Sequence, residues 1–171
     1  NEGPFTLRGV AMSEPTEIFL SHGGFETLVL PLTAEQTAVD LDVGDVALHP
    51  IQGTCSVRLQ IEGPGERLVT LISSDGARIL GFVVNNDGAA AVSWGSTDGL
   101  RLPAGRYYIA PGSLLPGDAA LPLLDLIRAD KAAQHPELPS CEARPDLETS
   151  LTVDAFQTRA VINAAAEIEL A

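Results

Sequence analysis

The sequence predicts a mainly β chain: an antiparallel β-sandwich, Greek-key or jelly-roll-like, with one short helix near 121–133. Three observations carry this expectation. Asp-Gly pairs at Asp75-Gly76, Asp87-Gly88 and Asp98-Gly99 cut residues 68–110 into apolar runs of strand length. Tight hairpin turns need positive φ, which Gly accepts freely and Asp tolerates. The recurrence every 11 or 12 residues matches the spacing of consecutive antiparallel strands. Residues 54–61 alternate strictly, with Cys55, Val57, Leu59 and Ile61 on one face and Ser56, Arg58 and Gln60 on the other. Helical spacing of Leu123, Leu124 and Ile127, with Pro122 in the first turn and Asp118 as a cap, marks the helix.

Taken in order, residues 1–20 hold two short β-like pieces, 5–12 and 17–20, broken by Gly9 and by Glu14-Pro15. Pro15 suits an edge strand or a crossing between sheets. Residues 25–32 form a strand with apolar side chains on both faces, which predicts a covered, central position. Residues 37–43 alternate Val39, Leu41 and Val43 against Asp40 and Asp42, and 46–51 is a further short strand ended near Pro50. After Gly63-Pro64-Gly65 the chain enters the Asp-Gly meander.

The meander ends in Leu102-Pro103-Ala104-Gly105-Arg106-Tyr107, which resembles the tyrosine corner of Greek-key sandwiches, where the Tyr hydroxyl ties back to the backbone. Residues 75–108 also loosely resemble the small sandwich modules appended to secreted bacterial proteases. Both resemblances imply architecture, and neither carries a functional residue onto this chain.

Residues 134–146 hold three prolines and read as a loop. The tail carries two patterns. Leu147, Thr149, Leu151 and Val153 alternate, as do Ile162, Ala164, Ala166, Ile168 and Leu170. Yet Asp154 with Gln157 resembles a capping box, and Phe156, Ala160, Ala164 and Ile168 recur at helical spacing. The strand reading is preferred, because a terminal strand completes a sheet. The organisation expected is one domain over 1–171, with 111–146 as a helix and Pro-rich loop insertion and 147–171 as tail strands.

At 171 residues the chain can bury a real core, and 45% hydrophobic with 19% charged residues is a globular balance. No apolar run approaches the roughly 20 residues that span a bilayer, so no membrane insertion is expected. The first ten residues, with no basic stretch before an apolar one, do not read as a signal peptide. Ten basic against 23 acidic residues give a net charge of −13. That balance disfavours nucleic acid and anionic membranes, which are bound through clustered Lys and Arg. It suits a solvated, self-repelling surface.

Cys55 and Cys141 fit no zinc motif. One in a strand and one in a loop suit a disulfide that staples the tail to the core. On the chain-entropy model so long a loop contributes on the order of 4 kcal/mol.

No catalytic constellation is visible. His22-Gly23-Gly24 resembles an esterase oxyanion loop, but the Gly-x-Ser-x-Gly elbow it requires is absent. His22, His49 and His135 stand at no metal-ligand spacing. Asp40, Asp42 and Asp45 could offer Ca²⁺ a set of oxygens outside any EF-hand pattern. Trp94 and Tyr108 are the best carbohydrate-stacking pair. No other cofactor is implied. The function expected is that of a non-enzymatic structural or interaction subunit of an extracellular, periplasmic or virion surface assembly. Its partners would be further copies of itself or other assembly proteins. The alternative is a secreted module binding Ca²⁺ or carbohydrate.

Overall fold

A computed structural model describes residues 16–22, 24–32, 44–62, 66–85 and 100–171. Strands β1 (Thr16–Leu20) and β2 (Leu28–Leu32) pair antiparallel as a two-stranded sheet. Strands β3 (Cys55–Ile61), β4 (Glu66–Ser73), β5 (Ile79–Asn85), β6 (Leu100–Leu102) and β7 (Gly105–Pro111) follow, then helix α1 (Ala120–Arg128) and a 3₁₀ turn at Ala132–Gln134. The chain ends in β8 (Ser140–Ala143), β9 (Thr149–Val153) and helix α2 (Ala155–Glu169). Beside the β1-β2 pair lie a three-stranded sheet in the order β6-β3-β9 and a four-stranded sheet in the order β5-β4-β7-β8. The described chain is thus mainly β, as its sequence predicts.

The four-stranded sheet is covered on both faces. Its register places Leu71 opposite Leu80 and Ile109, and these side chains share a core cluster with Val57 and Leu59 of β3 and Leu100 of β6. The next residues along, Ile72, Tyr108 and Ala110, point the other way and join Leu123, Leu124 and Ile127 of α1 and Ile162 of α2 in a second cluster. Strand residues alternate faces, so burial of both produces the unbroken buried run from Tyr107 to Pro111. The first cluster thus draws on strands of both larger sheets, and the second on the four-stranded sheet and the helices. The helix expected near 121–133 lies across a sheet face.

Turn chemistry explains two connections. Between β4 and β5, Gly76 adopts φ +70, and the Asp75 carboxylate accepts bonds from the Ser73 hydroxyl and the Ala77 N–H. Asp87-Gly88 and Asp98-Gly99 lie outside the described residues. Between β6 and β7 the chain passes from one sheet to the other, with Gly105 at φ +149. The Tyr107 hydroxyl donates to the Pro103 carbonyl at 3.1 Å, the tie that the tyrosine-corner resemblance implies.

Several expectations need correction. Strand β9 pairs with β3 in parallel, so its sheet is mixed instead of antiparallel. Residues 46–51 form no strand; only Pro50 makes an isolated bridge, to Phe25, and proline lacks the N–H a ladder needs. Strand β2 belongs to the small sheet and is half-buried, so its apolar residues mark no central position. Residues 140–143, inside the expected Pro-rich loop, form β8 on the Tyr107 edge of β7. Helix α1 stops at Arg128 because Asp130 takes a left-handed φ of +58. The Lys131 N–H then bonds the Leu126 carbonyl and the Asp130 N–H that of Ile127, a Schellman closure. Finally, only 149–153 of the tail is strand; the rest is α2, a second helix.

Candidate interaction surface

The Asp154 cap decides the tail. Its backbone stays extended while its carboxylate accepts from the N–H groups of Phe156 and Gln157 at 2.9 and 3.0 Å, satisfying two donors the first helical turn leaves open. Val153, one residue earlier, is buried as the last rung of the β3-β9 ladder. These two anchors fix the rotation at which α2 begins.

That rotation turns Thr158, Ile162 and Ala165 inward. It turns Phe156, Ala160, Ala164 and Ile168 outward, with Phe156 85% and Ile168 73% exposed. The row that identifies a helix in the sequence is therefore its solvent face. Phe156 and Ile168 thus lie outside, while the buried face holds Ile162 among small residues, with half-buried Val161 and Ala166 packed beside it. Among described residues, Phe156 and Ile168 are the most exposed large hydrophobic side chains.

Polar contacts pin α2 against the body. Arg159 Nη2 lies 3.4 Å from Asp118 Oδ1, and Lys131 Nζ 3.2 Å from Glu169 Oε2. His135 Nδ1 is 2.8 Å from Glu137 Oε1, with its Nε2 3.5 Å from Glu169 Oε1. Surface pairs of this kind contribute about 0–1 kcal/mol each, so they orient the helix more than they hold it. Asp118 does not cap α1, whose N-cap is Ala119 without a side-chain bond. Its carboxylate instead accepts the Ser113 N–H and hydroxyl, both at 2.9 Å. The Ser113 N–H, then its hydroxyl and the Arg159 charge, hold the Asp118 carboxyl below the usual carboxylate range. An open groove of about 580 Å³ runs between the helices, lined by Leu121, Pro122, Asp125, Glu167 and Leu170.

Of the residues singled out in the sequence, several fall among those the structure describes. Asp45 is exposed in an irregular segment, and Asp40 and Asp42 lie outside the described residues. Among the described residues no group of three or more His, Cys, Asp or Glu side chains is placed to hold a metal. Tyr108, expected at the surface beside Trp94, is only 3% exposed because it faces the helical layer, and the Arg106 guanidinium stands 5.2 Å from its ring centre. Its burial withdraws it from sugar stacking, and Trp94 lies outside the described residues. His49 is exposed, and His22 meets Phe25 edge-to-face at 5.3 Å.

Cys55 and Cys141 do come together in one core cluster, contributed by β3 and β8, but as free buried thiols and not as a disulfide. Burial pushes the Cys141 thiol up to about 11. What the sequence reading missed is the outward face of α2. The signal was present in the row Phe156-Ala160-Ala164-Ile168, but spacing gives a face without saying which way it points. Among the described residues no helix is long and apolar enough to cross a membrane. Compared with known proteins, the chain matches no family model, no curated protein and no solved structure.

Proposed function

We propose that the chain is a non-enzymatic structural or interaction subunit of an extracellular or virion surface assembly, with its two larger sheets stacked as a sandwich. One observation supports this most: α2 presents Phe156 and Ile168 to solvent, 85% and 73% exposed. Large apolar side chains on a rigid helix suit a docking surface, since free-standing domains keep such patches small. The net charge of −13 suits a subunit that must stay soluble before it docks. A single Lys, Lys131, against 23 acidic residues is in keeping with an exposed surface that avoids nucleic acid and anionic lipid.

Cross-linking of native material, followed by mass mapping of the linked peptides, tests the reading. Reproducible links from α2 to a neighbouring chain are expected. Recovery of the chain solely as an isolated monomer, with no linked neighbour under native conditions, sinks it.

A further inference from the structure

We infer that the outer face of α2 is a two-fold contact on which a second copy of this chain docks antiparallel. This rests on the subunit reading above and names the partner for its surface. The apolar row is Phe156, Ala160, Ala164 and Ile168, all exposed, at a constant spacing of four residues. Such a row forms one ridge of a helix surface, about 18 Å from end to end at 1.5 Å per residue. Its order is large, small, small, large.

A two-fold axis passing midway between Ala160 and Ala164 sets Phe156 against Ile168 of the second copy, and Ala160 against its Ala164. Small residues at the centre let the helix backbones approach, and the bulky ends fill the flanks. An isologous contact needs one surface that complements itself, and a large-small-small-large order does so under a two-fold axis. A parallel pairing would set Phe156 against Phe156 instead, so the orientation is decided by charge.

Charge agrees with that orientation. Arg159 and Glu167 are exposed and flank the row on the same side. Under the same axis each Arg159 lies along the flank nearest Glu167 of the other copy, opposite in sign. A parallel two-fold pairing would carry the second copy's charges to the opposite flank, so no Arg159–Glu167 pair would form. Among the described residues Arg159 has one side-chain contact, 3.4 Å to Asp118, which leaves guanidinium N–H groups for a second acceptor.

The contact is small and works against a like charge. Two helices about 22 Å long bury less than the ~800 Å² per partner of a standard interface, so association is weak. Each copy carries −13, a repulsion that salt screens over about 10 Å at 0.1 M. Dimer formation therefore strengthens from low to moderate salt. A basic partner on the same acidic chain would show the opposite trend.

Sedimentation equilibrium of the full chain, at two salt concentrations and up to the millimolar range, reads the association directly. A monomer–dimer equilibrium favoured by salt is expected. Ala160→Glu and Phe156→Ser should each weaken it about tenfold or more, with unchanged circular dichroism, since both positions face solvent. Register is read by oxidative cross-linking of Ala160→Cys mixed with Ala164→Cys. The mixed pair should link faster than either variant alone. A chain monomeric under every condition overturns the dimer, as does a dimer indifferent to Ala160→Glu or one whose mixed cysteines link no faster. Native cross-links from α2 to a different protein, with a monomer in the centrifuge, would overturn the dimer and leave the subunit reading standing. A salt-favoured dimer without native neighbours would do the reverse.

Discussion

Tyr107 shows how much one side chain can organise. Its ring is buried in the cluster shared by the two larger sheets, and its hydroxyl reaches back to the Pro103 carbonyl at the point where the chain leaves β6 for β7. Tyr107→Phe keeps the ring and removes that tie together with the hydroxyl's contact with the Arg78 side chain. A net intramolecular hydrogen bond is worth about 1 kcal/mol, so urea denaturation should show a loss of that order with an unchanged slope. A loss several times larger would mean the hydroxyl anchors more than this crossing. The thiols make a second residue-scale case. Cys55 is fully buried, Cys141 is 6% exposed, and burial raises the Cys141 thiol to about 11, so little thiolate exists near pH 8. The thiolate is the reactive form. Iodoacetamide at pH 8 should leave both cysteines unmodified in the folded chain and label both after unfolding in denaturant without reductant. Labelling of neither after unfolding would show a disulfide.

At the scale of elements, the same residues show what was legible in the sequence. Cys55, Val57, Leu59 and Ile61 fall inward as their alternation predicts, because a strand with one wet face leaves a period-two record. Strand β8 leaves no such record: it is four residues long and flanked by prolines, and its pairing with β7 is tertiary. The parallel β3-β9 pair was illegible for the same reason, since pairing direction is not written in either strand. The tail was legible in principle. The 162–170 alternation and the four-residue row competed, and the deciding feature was Asp154, whose carboxylate is worth about 1 kcal/mol as a cap. A β-strand offers that group nothing comparable. Asp154→Ala should therefore cost about 0.5–2 kcal/mol and fray the first turn of α2. Amide exchange resolves that directly, with protection lost first at Phe156, Gln157 and Thr158. Uniform protection along α2 in the variant would show that the helix is held by packing and ion pairs instead. The candidate surface was half legible: its residues were visible as a row, but its direction depends on Val153 and Asp154 fixing the helix start, a matter of packing.

For the whole molecule, charge is the dominant global term. At pH 7 the chain carries −13, and the charge passes through zero near pH 4.4. Self-repulsion destabilises a compact state, and salt relieves it. Salt should therefore raise the melting temperature at pH 7 and have little effect near pH 4.5, where no net charge remains to screen. Opposing this gain are carboxylates whose folded form prefers the charged state. The Ser73 hydroxyl and the Ala77 N–H hold Asp75 below its usual range, and the Ser113 contacts do the same for Asp118. A group depressed on folding contributes stability above its unfolded value, near 3.8, and loses it as pH falls through the lower folded value. Acidification should first raise stability as repulsion fades, then lower it steeply below pH about 4. Asp118→Asn separates the two effects, because it removes one depressed carboxylate while changing the net charge by a single unit. Its deficit against the parent should be full at pH 7 and shrink as pH falls below about 4, since both chains then carry a neutral group there. A deficit constant across the acid limb would show that Asp118 stabilises by shape and hydrogen bonding alone, with no share in the pH dependence.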